Sequence, residues 1–566
     1  MEGVVKNITD YGAFIDLGRF YGADVQPIKA IEAIHNPHCG WFYRASAADF
    51  KKIPGAPIAY WVSLSLREMF ATTPGFSAYF FSDGLTKTGN NDRYLRFHWE
   101  VEKNNAEDPE LYRICVKGGD ARNYYGNTDV LVNWSRSARD HYRSDHVARI
   151  TPEYLWHTAG ISWTKISSKG PTFRWFGNGM IAETGGPAIF AKPEVGEDGI
   201  WQALGFLASK VSSSILTSLN PTLNFQTSDV LSLPIDLSDI RLSTHISQCA
   251  VRLAQLDWDA YETSWDFTTL PLLRPEHRQA TLAATYAHLR AHWQAMTGEM
   301  QRLEEENNRI FIDAYVLQDE LTPDVPLHEI TLTCNPHYRY GAGKSDDEYE
   351  ALLLADTLRE FLSYAVGCMF GRYSLDAPGL ILANAGETVE EYMARVARGE
   401  EREALTFLPD RDNVIPILDG EWFADDIVER FKRFLRVTFG EERYAENLAF
   451  VERGLGRDLR GYFLRDFYDD HVRRYQKRPI YWLFSSPKGS FNALIYMHRY
   501  RPDTASVVLN EYLRDFQNKL AAHRSHLDRV SIRAASSPRD KTAALKEIDK
   551  VDKMIAELAA YEREVL

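Results

Sequence analysis

The chain has 566 residues, 45% of them hydrophobic and 25% charged, with 79 acidic against 65 basic side chains and a formal net charge of −14. That length accommodates three or four domains with ordinary cores. The acidic balance excludes a wholly basic nucleic-acid coat, but a DNA-binding protein needs only its contacting face to be positive.

In chain order, Val4, Val5, Ile8, Phe14, Ile15 and Leu17 alternate around Tyr11-Gly12, which predicts two short strands about a glycine turn. Residues 19–60 read as a linker, entering the next region through Pro54 and Pro57. A short helix is expected at 61–72. Short strands should dominate 75–235, punctuated by Gly89-Asn90-Asn91, Gly118-Gly119, Gly126-Asn127, Gly177-Asn178-Gly179 and Gly185-Gly186. Leu204, Leu207, Val211 and Ile215 share one stripe, so 199–218 reads as a helix.

Composition shifts after Pro234. Residues 246–318 read as helical, and Leu282, Tyr286, Leu289, Trp293, Met296, Met300 and Leu303 repeat at coiled-coil-like spacing. Residues 346–470 continue helical, and 505–528 with 537–566 form a second helical pair with Val507, Leu513, Phe516 and Leu520 inward. The expected fold class is α+β, with a mixed α/β domain at 61–245. A helical spacer at 246–330 follows, then a mainly helical domain at 331–504 and a helical hairpin at 505–566.

Several motifs invite chemistry. Gly341-Ala342-Gly343-Lys344-Ser345 lacks the leading glycine of a Walker A loop, because position 338 is Tyr, so it reads as a loop before the acidic helix start Asp346-Asp347-Glu348. His35-Asn36-Pro37-His38-Cys39 packs its donors too closely for a tetrahedral site on one loop. Asp466, Asp469, Asp470 and His471 fit one exposed helix turn with no companion nuclease motif. No metal ligands are therefore assigned. Five cysteines without a C-x-x-C pair argue against a zinc ribbon or a disulfide framework, and fit a reducing cytoplasm. The start of the chain shows no secretory leader, and no apolar run approaches the roughly 20 residues of a membrane span.

The densest stretch, 160–235, mixes aromatics, cations and amides on short strands between glycine turns. That composition suits cationic contact with a phosphate backbone and amide readout of base edges. Lys165, Lys169 and Arg174 are the leading contact candidates, with Thr222, Asn224 and Gln226 next; loop hydrogen bonding is the equal alternative for Asn224 and Gln226. In 477–491, Lys477, Arg478 and Lys488 flank an aromatic strand, which fits either a phosphate-contacting hairpin or a buried strand with charged ends.

Two resemblances follow. The run Val5-Lys6-Asn7-Ile8-Thr9-Asp10-Tyr11-Gly12-Ala13-Phe14-Ile15-Asp16-Leu17-Gly18 resembles the opening of an S1-type RNA-binding repeat and stops there, a partial hairpin at 1–18. From about residue 38 onward the chain resembles the C-terminal half of the PglX-type adenine-specific DNA methyltransferases of BREX phage-defence systems. The matching pieces include Phe42-Tyr43-Arg44-Ala45-Ser46, Tyr125-Gly126-Asn127, Val132-Asn133-Trp134 and Gly160-Ile161-Ser162-Trp163-Thr164. Asn220-Pro221-Thr222-Leu223-Asn224-Phe225-Gln226 and Arg478-Pro479-Ile480-Tyr481-Trp482-Leu483-Phe484-Ser485-Ser486-Pro487-Lys488-Gly489 complete the match.

The resemblance makes 61–245 a target-recognition domain and 19–60 in part a remnant of the methyltransferase core. It implies S-adenosylmethionine as methyl donor for the full-length family and double-stranded DNA as partner. The family's cofactor loop and Asn-Pro-Pro-aromatic tetrapeptide have no counterpart here: Asn36-Pro37, Asn220-Pro221 and Asn335-Pro336 all lack the second proline. The expectation is therefore sequence-specific duplex DNA recognition without catalytic or cofactor-binding residues in this chain. The alternatives are a scaffold docking other BREX proteins and a methyltransferase completed by a separate catalytic half.

Overall fold

The computed structural model describes residues 11–15, 25–36, 38–39, 42–46, 64–220, 222–237, 241–397, 405–533 and 537–565. The fold is mixed α+β, with several small sheets and a helical C-terminal region. The chain divides into two compact units. The first holds residues 1–95, 113–258 and 296–338; the second holds 96–112, 259–295 and 339–566.

In the first unit, strand Tyr11–Ile15 pairs antiparallel with Phe42–Ser46, Tyr11 opposite Ser46 and Ile15 opposite Phe42. Gly12 therefore lies within a strand, which corrects the expected Tyr11-Gly12 turn. A local turn rule cannot see a partner so far along the chain. Residues 1–10, and the Pro54–Pro57 entry, lie outside the described residues. The expected helix at 61–72 is found as Leu64–Thr72.

The main sheet of this unit is antiparallel, in the order Phe80–Phe81, Ala188–Ala191, Gly160–Trp163, Phe173–Phe176. Gly160 is required by close packing: a Cβ there would meet the Ile189 carbonyl at 2.7 Å and the Phe176 ring at 2.6 Å. Nearby, Tyr112–Val116 pairs in parallel with Ile181–Ala182. The helix expected over 199–218 is two helices, Gly196–Leu207 and Lys210–Leu219. Ser209 makes the break. Its hydroxyl donates to the Phe206 carbonyl at 2.7 Å and accepts from Ser212 N at 3.3 Å, ending one helix and capping the next.

Helix Gly196–Leu207 lies on the main sheet and also packs against helix Arg241–Trp258. Gly205 permits that approach, since a Cβ would meet Ser247 Oγ at 2.8 Å and Asn307 Oδ1 at 2.9 Å. Phe206 inserts among Phe76, Phe311 and Tyr315.

The helical region expected over 246–318 is found as two helices. Helix Arg241–Trp258 is followed by short turns at Pro271–Leu273 and Pro275–His277, then by the 33-residue helix Leu282–Ala314. Proline at the first position of each turn supplies no amide for a continuing helix.

In the second unit, helices Asp346–Met369, Ile427–Phe439, Tyr444–Leu455, Leu459–Arg465 and Phe467–Arg474 pack together. A three-stranded antiparallel sheet has the order Ile415–Pro416, Asn492–Tyr496, Tyr481–Ser485. The C-terminal hairpin pairs helix Arg514–Ile532 with Pro538–Val565. As the spacing predicts, Leu513, Phe516 and Leu520 are buried in its core, with Val551 and Leu558 opposite.

Candidate nucleic-acid interface

Of the leading candidates, Lys165 sits on a small ribbon that continues strand Gly160–Trp163 of the main sheet, Lys169 lies two residues beyond it, and Arg174 lies on strand Phe173–Phe176. After strand Gly160–Trp163 the chain runs outward through Thr164 and Lys165, and this segment meets the one that follows Asn220. Phe225 N donates to the Lys165 carbonyl at 2.9 Å, and Ser167 N donates to the Leu223 carbonyl at 3.0 Å. These bonds flank a bridge between Ile166 and Asn224. Trp163 anchors the second strand, its indole donating to the Phe225 carbonyl at 3.0 Å. The ribbon's inner side chains, Ser167 and Phe225, are buried, whereas Ile166 is 67% exposed.

The structure brings Lys165, Asn224 and their neighbours together. Lys165 is half-buried and Lys169 exposed, and no carboxylate among the described residues pairs with either. Lys169 Nζ lies 5.3 Å from the centre of the Tyr338 ring, a cation–π contact that leaves its charge outward. Tyr338 is fixed by its hydroxyl, which donates to the Ala121 carbonyl at 2.8 Å.

Arg174 is a correction. Its side chain is 1% exposed, and it donates to Thr164 Oγ1 at 3.3 Å and to the Arg122 carbonyl at 3.4 Å. Burial, then the charge of Arg122, pushes its pKa down to about 10. A guanidinium so enclosed holds the ribbon's base; it does not meet a ligand at the surface.

Beneath it lies a second buried arginine that local sequence reading misses. Arg122 pairs with Asp257 at 3.4 Å, donates to Thr333 Oγ1, and lies over the Trp258 ring at 4.9 Å. Asp257 also accepts the amides of Thr333 at 2.6 Å and Cys334 at 2.8 Å. The carboxylate is thus satisfied on several sides, the condition under which a buried pair is tolerated.

The second tier divides. Thr222 is spent on its turn: its hydroxyl donates to Asn220 Oδ1 at 2.6 Å and accepts from Asn224 N at 3.3 Å. Gln226 starts helix Thr227–Leu231, its backbone N–H donating to Asp229 Oδ2 at 2.9 Å. Asn224 differs. Its carbonyl accepts from Asn220, but its side-chain Oδ1 is buried without a partner, so the amide oxygen is not consumed by the loop.

Lys477, Arg478 and Lys488 belong to the other unit. All three are exposed, and Arg478 lies 3.5 Å from Glu100. Tyr481–Ser485 and Asn492–Tyr496 form the hairpin, but its turn already holds an anion. Glu557 accepts from Ser486 Oγ at 2.6 Å, from Lys488 N at 2.6 Å and from Ser490 Oγ. The turn amide and hydroxyls that would hold a phosphate are therefore occupied by the chain's own carboxylate. Only the Lys488 ammonium stays outward.

The remaining motifs resolve structurally. Ser345 caps helix Asp346–Met369 and bonds Glu348, while Lys344 Nζ donates to the Tyr340 carbonyl at 2.8 Å. An N-terminus so supplied with acids repels phosphate. Asp466 pairs with Arg457 and Asp470 with Arg359 and Arg473, while His471 is buried and accepts the amides of Ile480 and Tyr481. Among the described residues no group of three or more His, Cys, Asp or Glu is placed to hold a metal ion, and no helix is long and apolar enough to cross a membrane.

S-adenosylmethionine finds no fitting cradle among the described candidates. Gly177-Asn178-Gly179 follows strand Phe173–Phe176 and leads to Ile181–Ala182, with no helix N-terminus to face the ligand. The amide of Asn335 is spent on the carbonyls of Leu327 and Ile330 and on His337 N. That of Asn220 is spent on Asn224, Asp229 and Thr222. Pro37 and Pro221 lie outside the described residues.

No family model matches the chain. Two curated proteins do. The adenine-specific methyltransferase BrxX of Escherichia coli O9:H4 (strain HS) is 32% identical over 533 residues, covering 91% of this chain and 43% of that protein. The adenine-specific methyltransferase PglX of Lacticaseibacillus casei (strain Zhang) is 31% identical over 572 residues, covering 94% and 44%. The chain thus spans less than half the length of these relatives. Along more than nine-tenths of its own length, it is similar to these PglX-type adenine-specific methyltransferases.

Proposed function

We propose that this chain supplies sequence-specific recognition of duplex DNA to a BREX adenine methyltransferase, with methyl transfer from S-adenosylmethionine carried by residues outside it. One observation supports this reading most: the ribbon 165–167/223–225 displays an exposed aliphatic, Ile166, with Lys165 next to it in sequence and exposed Lys169 two residues beyond the ribbon, neither paired with a carboxylate among the described residues. Lysines position a protein on phosphates, while amides and methyl groups address base edges. The ribbon's anchors, Trp163, Ser167 and Phe225, are buried, so the ribbon is held by packing.

The test is selection from a random duplex pool by the purified chain, followed by titration at several salt concentrations. One consensus should emerge. Lys165→Ala and Lys169→Ala should each weaken binding on all sequences and flatten the dependence of log K on log salt by about one unit. A pool that never converges refutes the reading.

A further inference from the structure

Ile166 is the feature of the ribbon that cation–phosphate contact does not explain. A lone exposed aliphatic is ordinary on a protein surface, but the setting of this one is specific. It lies between Lys165 and Lys169 in sequence and opposite Asn224 across the strands. The hydrogen bonds of Phe225 N and Ser167 N flank the Ile166–Asn224 bridge, which makes it a non-hydrogen-bonded antiparallel pair whose side chains share one face at close range. The opposite face carries Ser167 and Phe225, both buried. Side-chain alternation therefore fixes Ile166 on the outward face. By the same alternation Lys165 and Leu223, the latter 56% exposed, fall on the other face with Ser167 and Phe225.

A two-stranded ribbon fits the major groove of B-DNA, which is about 12 Å wide, and the apolar group displayed there is the C5-methyl of thymine. The ammonium group of exposed Lys169, three residues after Ile166, complements the phosphates that border the groove. Resting on the recognition reading above, we infer that Ile166 is a specificity-determining residue that reads a thymine methyl in the major groove of the target site.

The experiment takes the site selected by the full chain and replaces each thymine in turn with uracil, which removes only the methyl. Wild-type protein should lose about fourfold in affinity at one position, the worth of one methyl group removed from water. Ile166→Ala should bind the thymine duplex more weakly by a similar factor and lose the distinction between thymine and uracil there. Leu223→Ala should keep that distinction. Because Ile166 is exposed, its variant should unfold at the wild-type temperature.

An Ile166→Ala protein that still distinguishes thymine from uracil overturns the inference. So does a wild-type chain indifferent to uracil at every position, or a selected site without thymine. Unchanged DNA affinity in Ile166→Ala, as for a patch that docks another protein, also overturns it. Failure of the pool to converge overturns the recognition reading and this inference together, whereas convergence without a methyl effect overturns this inference alone.

Discussion

Replacing Asp257 with alanine probes the foundation of the ribbon. The side chains of Arg122 and Asp257 are 8% and 0% exposed, so solvent screens their interaction little. Removing the carboxylate leaves the Arg122 guanidinium buried without its counter-ion and frees the amides of Thr333 and Cys334. Breaking a buried pair from one side costs roughly 3–5 kcal/mol. At about 2–4 °C per kcal/mol for a large domain, the first unit should melt roughly 6–20 °C lower. Hydrogen exchange at 331–335 should accelerate, because two of those amides lose their acceptor. The double variant Arg122→Met/Asp257→Leu should recover much of the loss, since it removes both charges and fills the space. A loss under about 1 kcal/mol for Asp257→Ala, with unchanged exchange, would refute the claim that this pair carries the ribbon's base.

Three further outcomes follow from the buried groups. Glu304 is buried with Oε1 unpartnered, and desolvation, then the charge of Glu329, raises its pKa to about 8. The folded state holds that proton more tightly than the unfolded state. Stability from this group is therefore complete below about pH 4.5 and is lost as pH rises toward 8, by up to about 1.4 kcal/mol per unit. Glu304→Gln should flatten that slope and melt above wild type at pH 8–9; an unchanged slope contradicts it.

His98 and His498 are held down to about 4 by burial, and their Nε2 atoms lie 2.9 Å and 3.0 Å from the carbonyls of Thr263 and Trp99. Here the unfolded state takes up the protons. Stability is present above about pH 6.5 and falls as pH drops toward 4, and His98→Asn should reduce the acid slope by about 1.4 kcal/mol per unit. Equal slopes in denaturation series at pH 4.5–6.5 would count against it. Asn224→Ala should leave the melting temperature within about 1 °C, because it removes a polar atom that is already unsatisfied.

How much of this was legible in the sequence depends on how local each feature is. The helical spacing of Leu513, Phe516 and Leu520 identifies a hairpin face because it depends on neighbours within a few positions. Ser209 hid because its effect is a cap and not a change of hydrophobic period. Arg174 looked like a reader because it is a cation on a strand among turns. Its burial depends on Arg122 and Thr164, which meet it only in the folded sheet. Likewise, nothing near Lys488 announces that Glu557 closes its turn. Lys165 and Lys169 were legible by type and position. Ile166 was not, because an isoleucine between polar residues in a turn-rich stretch carries no signal until its strand partner is known.

The most direct test of the ribbon as the reading element is photo-crosslinking of the full chain to its selected duplex, with 5-iodouracil replacing thymine, followed by peptide mapping. The crosslinked peptides should come from 164–170 or 222–226, and the yield should fall when Lys165 and Lys169 are both alanine. Crosslinks confined to other parts of the chain, with binding unaffected by those substitutions, would contradict the account.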